Sequence, residues 1–427
     1  MDDQTDHSSA EWRDMRRAVV TGMGMISPLG HDSEETWTAV IRGETAVGPI
    51  TLFDASAFPT RIAAEVKSWN PKGGVERRVR RLLNRGAEFI LYAADQAWED
   101  AGLSTEQTRD LTVAVVSAHS GTRPHPADIS WLCDEVDGTS DLCRLSPLET
   151  LRGAYHTVGT ALSYRFHATG PNLVLSTACA SGTQAIGLGM RLIQENEADV
   201  VLAGGGDSMI APFDVLAFCA IGALSTRNAE PQRASRPFDL NRDGFVLGEG
   251  AAMLVLEERE RALARGADIY GEVRGYGSSL NAYRVTDSPP DGYGPALAMS
   301  AALGDAEVEA SRIQYINAHG TSTRDNDSCE TQAIKRVFGE SAHTVQISST
   351  KGSTGHLISG AGSIEAAFCL LAMRDGRLPS TVNLETPDPV CDLDYIAGAA
   401  AHQAVDTCLS NSFGFGGTNA SLVLTRN

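Results

Sequence analysis

Three short stretches carry residues whose types suit acyl chemistry. The first, VLSTACASGTQAIG from Val174 to Gly187, is an apolar run that stops at Cys179 among small residues. The second, NAHGTST, carries His319, and the third, SSTKGSTGH, carries His356. A thiol that ends a strand and opens a helix sits where the helix dipole and free backbone N–H groups favour thiolate and can also hold an oxyanion. The small neighbours allow a tight turn and the close approach of a thioester. A buried structural cysteine at a helix start would have the same local sequence, and a lone histidine in a Gly/Ser/Thr loop is more often a turn or capping residue. A thiol and two imidazoles in three such loops fit nucleophilic acyl chemistry better. A last loop, NSFGFGGTN from Asn411 to Asn419, reads as too glycine-rich for helix, too long for a simple hairpin, and suited to a close-packed or mobile wall of a site.

The elements that must hold these loops follow from periodicity. Flat apolar runs at Arg17–Gly24, Leu111–Val116, Asn172–Ser176, Ala198–Gly205 and Ala251–Leu256 read as interior strands, most of them leading into helical patterns. The pattern restarts after Ile269 with runs beginning at Ile313, Thr344 and Ala420. The simplest account is a polar leader over 1–15, a half over 16–265 with the cysteine and a half over 266–427 with both histidines. No Pro/Ser-rich linker separates the halves. They are expected to share a large interface, and a site between them would draw residues from both.

Composition limits the partners. The 427 residues are 42% apolar with 42 glycines and a formal charge of −19, which fits a globular α/β enzyme and repels nucleic acid and anionic membranes. The first residues are polar and acidic and no apolar run reaches membrane length, so a cytoplasmic protein without membrane insertion is expected. Eight cysteines without a CxxC pair argue against a zinc ribbon or disulfide framework, and nothing calls for a metal. Against this acidic background Glu76–Arg85 places five arginines, Arg77, Arg78, Arg80, Arg81 and Arg85, on one expected helix. Such a stretch is either a solvated helix face or a landing surface for an acidic partner.

From about Arg17 to the C-terminus the chain resembles the elongating β-ketoacyl-acyl-carrier-protein synthases of the thiolase superfamily. The matching segments are TACASG, ALSTRN, ASRPFDLNRDGFVLGEGA, NAHGTST, SSTKGSTGH and NSFGFGGTN, in the family's order. Cysteine with two histidines is the elongating set; initiating synthases use Cys-His-Asn and thiolases Cys-His-Cys. The resemblance implies an α/β, thiolase-like, five-layered αβαβα fold with pseudo-duplicated halves. It also implies a dimer, either of identical chains or with a chain-length-factor-like homologue in a type II polyketide synthase.

Roles come with the resemblance. Cys179 would accept an acyl chain from an acyl carrier protein, and His319 and His356 would support decarboxylation of a malonyl thioester. The enolate would attack the acyl-cysteine to give a 3-ketoacyl thioester two carbons longer. Backbone N–H groups of Cys179 and Phe415 match the oxyanion pair, Phe413, Gly414 and Phe415 the gate segment, and Lys351 and Glu330 a supporting polar network. Thr321, Thr323 and Thr286 match positions along the phosphopantetheine arm, His119 the far end of the acyl pocket, and the five arginines the carrier-docking helix. Substrates arrive on phosphopantetheine, so no separate cofactor is implied.

Several residues depart from the family pattern: polar His119 where an apolar residue is usual, Gly222 where a basic one is, and Arg324 after TST where proline is common. The segment Asn281–Thr286 differs as well. These departures set a dedicated polyketide or polyene pathway beside fatty-acid elongation. A cysteine-dependent thioester hydrolase and a non-catalytic chain-length subunit are the competing functions, and the presence of Cys179 argues against the second.

Overall fold

The computed structural model describes residues 16–70, 76–121, 147–284 and 288–427. Ten strands form one continuous sheet: β1 (Ala18–Ile26), β2 (Val113–Ala118), β3 (Asn172–Leu175), β4 (Val200–Asp207), β5 (Gly250–Glu258), β6 (Gly271–Leu280), β7 (Tyr315–Asn317), β8 (Gln346–Ser348), β9 (Thr407–Phe413) and β10 (Thr418–Thr425). The first five lie in the order 3-2-4-5-1, and the second five repeat that order as 8-7-9-10-6. In each half the first three strands of that order are parallel and the last two antiparallel. The halves meet where Val19 and Val20 of β1 pair with Glu272 and Gly271 of β6.

The apolar runs flagged in the sequence are buried on both faces because helices cover both. Helix α1 (Arg77–Arg80) is a single turn, followed by α2 (Arg85–Asp100) and α3 (His156–Phe166), which cover the outer face of the first half. Helix α4 (Ser181–Gln194) lies between the halves, and α5 (Pro212–Ala220) follows β4. In the second half α6 (Tyr293–Ala306) packs on β6 and β10, and α7 (Arg324–Phe338) packs on α6. Helix α8 (Ala361–Asp375) joins α4 in the middle and contacts β5 and β9. Five layers result: helices, one half of the sheet, the α4/α8 pair, the other half of the sheet, helices.

The central layer holds the site. Thirteen consecutive residues of α8, Ala361–Met373, are buried, and each Leu or Phe among them contributes about 1.5–3 kcal/mol relative to exposure. The two central helices touch backbone to backbone. A Cβ on Gly362 would stand 2.0 Å from Thr183 Oγ1 and 2.7 Å from its N, and one on Gly182 2.5 Å from Ser363 Oγ. Glycine at both positions therefore sets how near the start of α4, with its cysteine, lies to the start of α8.

The last loop is a hairpin after all. Strands β9 and β10 pair up to Phe413 opposite Asn419, which leaves only Gly414–Thr418 as the connection, closed by Gly414 N donating to Thr418 O at 2.7 Å. Gly416 and Gly417 have φ of +88° and +79°, values that glycine adopts without Cβ strain. No helix among the described residues is long and apolar enough to cross a membrane.

Candidate active site

Strand β3 ends at Leu175, the chain turns through Ala178 at φ +51°, and Cys179 sits in a short 3₁₀ turn that runs into α4. The turn is held by Ser181, whose Oγ accepts from Thr177 N at 2.7 Å and donates to Ala178 O at 2.6 Å. Opposite, β7 ends just before His319, and a short helical turn over Lys351–Thr354 precedes His356. Both histidines and Cys179 are buried, and one ligand atom from each lies within 4.8 Å of the others. The three loops singled out from the sequence converge between the halves.

The contacts fix one tautomer. His356 Nδ1 accepts from Ile358 N at 3.2 Å, so Nε2 carries the proton and donates to Cys179 Sγ at 3.0 Å. Burial and the charge of Lys351 hold His356 well below the usual histidine range. The same two effects, with His356 as neighbour, hold His319 down. Both rings are therefore neutral at physiological pH, each with one N–H to offer. His319 Nδ1 has no hydrogen-bond partner among the described residues.

Two buried carboxylates frame the imidazoles. Glu330 accepts from His319 N at 2.9 Å, Gly320 N at 2.8 Å and Asn411 Nδ2 at 3.2 Å, and so fixes the loop that aims His319. Burial pushes Glu330 up to about 7 against the pull of those backbone donors. Lys351 Nζ is ion-paired to Glu365 on α8, and burial pushes Glu365 up to about 7 against that lysine. Glu365 was not singled out from the sequence, although the one acid inside the otherwise uncharged run AGSIEAAFCLLAM was a readable signal.

A cavity of about 500 Å³ reaches these groups from the surface. Its deep end holds Cys179, His319, His356, Phe413 and Phe415, and Thr321, Thr323 and Arg324 line it as well. Phe415 packs tilted against Phe218 and Phe245, with ring centroids 6.4 and 6.2 Å away, and Gly414 lies where a Cβ would stand 3.3 Å from Cys179 N. Gly222, one of the departures noted above, also lines the cavity.

Three expectations change. Burial pushes the Cys179 thiol up to about 11, against the N–H of Phe415 and the charge of Lys351, so desolvation outweighs the helix start and the resting group is a thiol. His119 does not line the cavity. It is a satisfied interior histidine, with Nδ1 3.0 Å from both Gly206 O and Asp207 Oδ1 and Nε2 3.0 Å from Asn84 Nδ2. Burial lowers its pKa, but the Asp207 contact and the Gly206 carbonyl outweigh burial and raise it. Thr286 lies outside the described residues.

The arginine stretch is the third. It is two helices, because Asn84 accepts from Ala87 N at 2.9 Å and caps a new start at Arg85. Arg77, Arg78 and Arg81 are exposed and Arg80 is half-buried. Arg78 bonds Tyr164 Oη at 2.5 Å and pairs with Glu76, and Arg80 pairs with Glu88 at 3.7 Å. Arg85 instead grips the buried carboxylate of Glu249 through Nε at 2.8 Å and Nη2 at 2.6 Å, and stacks over Phe89. Its guanidinium is committed to the fold. Arg85→Ala should leave Glu249 buried with one fewer partner and cost about 2–3 kcal/mol of stability, less than for a fully buried pair because Arg85 is a third exposed. Denaturant titration checks this; an unchanged midpoint would return Arg85 to the surface patch.

On a duplicated α/β fold, a cysteine beside two neutral imidazoles is the equipment of an acyl-transferring condensing enzyme. The family description "Beta-ketoacyl synthase, N-terminal domain" matches residues 15–262 and "Beta-ketoacyl synthase, C-terminal domain" residues 270–385. The chain belongs to the beta-ketoacyl synthase family. A 3-oxoacyl-[acyl-carrier-protein] synthase 2 of Coxiella burnetii is 43% identical over 96% of this chain and 99% of its own length. Its counterpart in Synechocystis is 41% identical, with 96% and 98% covered. Among solved structures, a beta-ketoacyl synthase from Burkholderia phymatum superposes with a TM-score of 0.89 at 36% identity, covering 97% of this chain and 100% of that one. The ishigamide ketosynthase/chain length factor gives 0.87 at 33%, with 97% and 100% covered.

Proposed function

We propose that the protein condenses a cysteine-bound acyl chain with a malonyl thioester carried on an acyl carrier protein. The observation that carries this reading is the 3.0 Å contact of His356 Nε2 with Cys179 Sγ, with His319 alongside, at the closed end of the cavity.

In the first step Cys179 Sγ attacks the acyl thioester; the carrier thiolate leaves and takes the cysteine proton. The tetrahedral oxygen is received by backbone N–H groups of Cys179 and Phe415. Malonyl thioester then occupies the cavity. Its carboxylate leaves as carbon dioxide, and the bonding pair becomes the enolate, whose oxygen accepts from the two neutral imidazoles. Donors aimed at the charge that develops as carbon dioxide leaves lower the barrier, and their lowered pKa keeps both rings neutral with one N–H each. The enolate carbon attacks the acyl-cysteine, and the collapsing oxyanion expels the Cys179 sulfur, which is reprotonated. Glu330 and Lys351 with Glu365 are positioning residues for the two imidazoles.

The partner is recognised by charge. Arg77, Arg78, Arg80 and Arg81 offer a local basic surface on a chain of net −19, suited to an acidic carrier protein. A type II PKS ketosynthase is solved in complex with its acyl-carrier protein at TM-score 0.86 and 33% identity to this chain. Among the described residues the outermost strand β3 pairs on one side only and exposes Leu173. That edge suits a dimer, since an open strand edge is a template for pairing.

Mass spectrometry of carrier proteins after mixing acyl-carrier, malonyl-carrier and enzyme tests the reading. A 3-ketoacyl carrier two carbons longer, from a protein that sediments as two 45.3 kDa chains, is expected. Free acid released without elongation would instead make it a hydrolase.

A further inference from the structure

Four residues on one wall of the cavity run from the reacting groups to solvent in chain order. His319 is 1% exposed, Thr321 6%, Thr323 half-buried and Arg324 exposed, and all four line the cavity. The two threonine hydroxyls are 2.9 Å apart. The wall is thus neutral and hydrogen-bonding inside and cationic at its outer end.

The backbone at that end is clamped. The guanidinium of Arg242, itself 2% exposed, donates to Thr323 O at 3.1 Å and Arg324 O at 3.0 Å, and to Asp388 at 2.6 Å. Arg324 therefore starts α7 from a fixed position, while its own side chain has no ion-pair partner among the described residues. Three carboxylates stand near it. Asp388 is ion-paired to Arg242 and also feels the charge of Arg324 without a salt bridge to it, and Asp243 accepts from Ser225 Oγ at 2.7 Å and Thr226 N at 3.3 Å. Asp325, the next residue, is exposed to solvent.

Resting on the proposed carrier-borne substrate, we infer that Arg324 is the binding residue for the phosphodiester of the phosphopantetheine arm. A substrate thioester at Cys179 draws its arm back along the threonine wall, and the one anionic group of that arm lies at its far end. An arginine fork there matches phosphate geometry, as a proline, common at this place in similar synthases, cannot. The threonines serve the neutral part of the arm and the arginine its charge.

The test uses two small substrates that differ only in this group, malonyl-pantetheine and malonyl-phosphopantetheine, with the pre-acylated enzyme. The full chain should prefer the phosphorylated substrate by about tenfold or more in kcat/KM, the effect of one charge-assisted contact. In Arg324→Ala the preference should fall to about threefold or less, and Arg324→Lys should recover part of it. An unchanged preference in Arg324→Ala, or none in the parent, overturns the inference while condensation itself persists. Failure to condense either substrate would remove the reading of the site and the inference together. Because neither substrate carries a protein, general attraction to an acidic carrier cannot produce the expected result.

Discussion

Cys179→Ala should abolish acylation and lower condensation by at least about 10⁴-fold, because among the described residues lining the cavity no other side chain can form the thioester. Malonyl decarboxylation should survive in the same variant. Its charge develops on an oxygen held by imidazoles, and the sulfur takes no part in that step. Folding should survive too. A buried cysteine replaced by alanine loses one sulfur atom of packing, and the contacts of the Cys179 thiol with the N–H groups of His356 and Phe415 are few beside the packing that holds the turn. Intact mass after incubation with acyl-carrier reads the first half and carbon dioxide release the second. Acyl-enzyme persisting in the alanine variant would relocate the nucleophile, and loss of both half-reactions together would mean that the variant disturbs the site as a whole.

The strength of that expectation comes from the turn that presents the sulfur. Ala178 holds φ +51°, which costs a non-glycine residue about 1–2 kcal/mol. The surrounding structure sustains it through Ser181, the close contact of Gly182 with α8, and Gly414 from the opposite half. A thiol raised to about 11 by burial is a poor nucleophile at rest. Its surroundings nevertheless hold three donors, the N–H of His356, of Phe415 and its own, that favour the thiolate and the oxyanion once a thioester displaces water.

The nucleophile and both imidazoles were legible because each is fixed by its own local sequence: small residues after an apolar run make the turn, and the turn alone sets the side chain at a strand end. Duplication was legible for the same reason, since flat apolar strands recur in both halves. What the sequence hid depends on partners far along the chain. Arg85 looks like its neighbours until Glu249, 164 residues on, closes on it. His119 reads as a pocket residue until Gly206 and Asp207 arrive from the adjacent strand. The terminal loop looked long because a glycine-rich string gives no sign that cross-strand pairing continues to Phe413. Glu365 could have been found, since an ionisable group inside a buried helix demands a partner, and Lys351 was already in view.

His319→Ala separates the two half-reactions in the opposite sense. Acyl transfer to Cys179 should persist within a few-fold, because the His356 contact and the oxyanion donors remain. Decarboxylation should fall about 10²–10³-fold, the cost of one donor to a developing oxyanion, or about 2.7–4 kcal/mol. His319→Gln should regain part of the rate. An amide N–H can donate to the enolate but cannot accept a proton near neutral pH, so partial rescue identifies the imidazole as a donor, whereas a base would not be replaced. The pH profile reports the protonation state alone. With its pKa held well below the usual histidine range, His319 is neutral across pH 6–8 and must be protonated well below pH 6.5 to be lost as the neutral ring. A donor that keeps its N–H predicts no inflection from this residue at the ordinary histidine pKa of about 6.5. Loop collapse is the alternative cause of a slow variant. It would act through Glu330, which holds the backbone N–H of His319 and Gly320, and would slow acylation and decarboxylation by the same factor. Equal losses in both half-reactions would therefore set aside the donor role, and a loss confined to decarboxylation with rescue by glutamine would establish it.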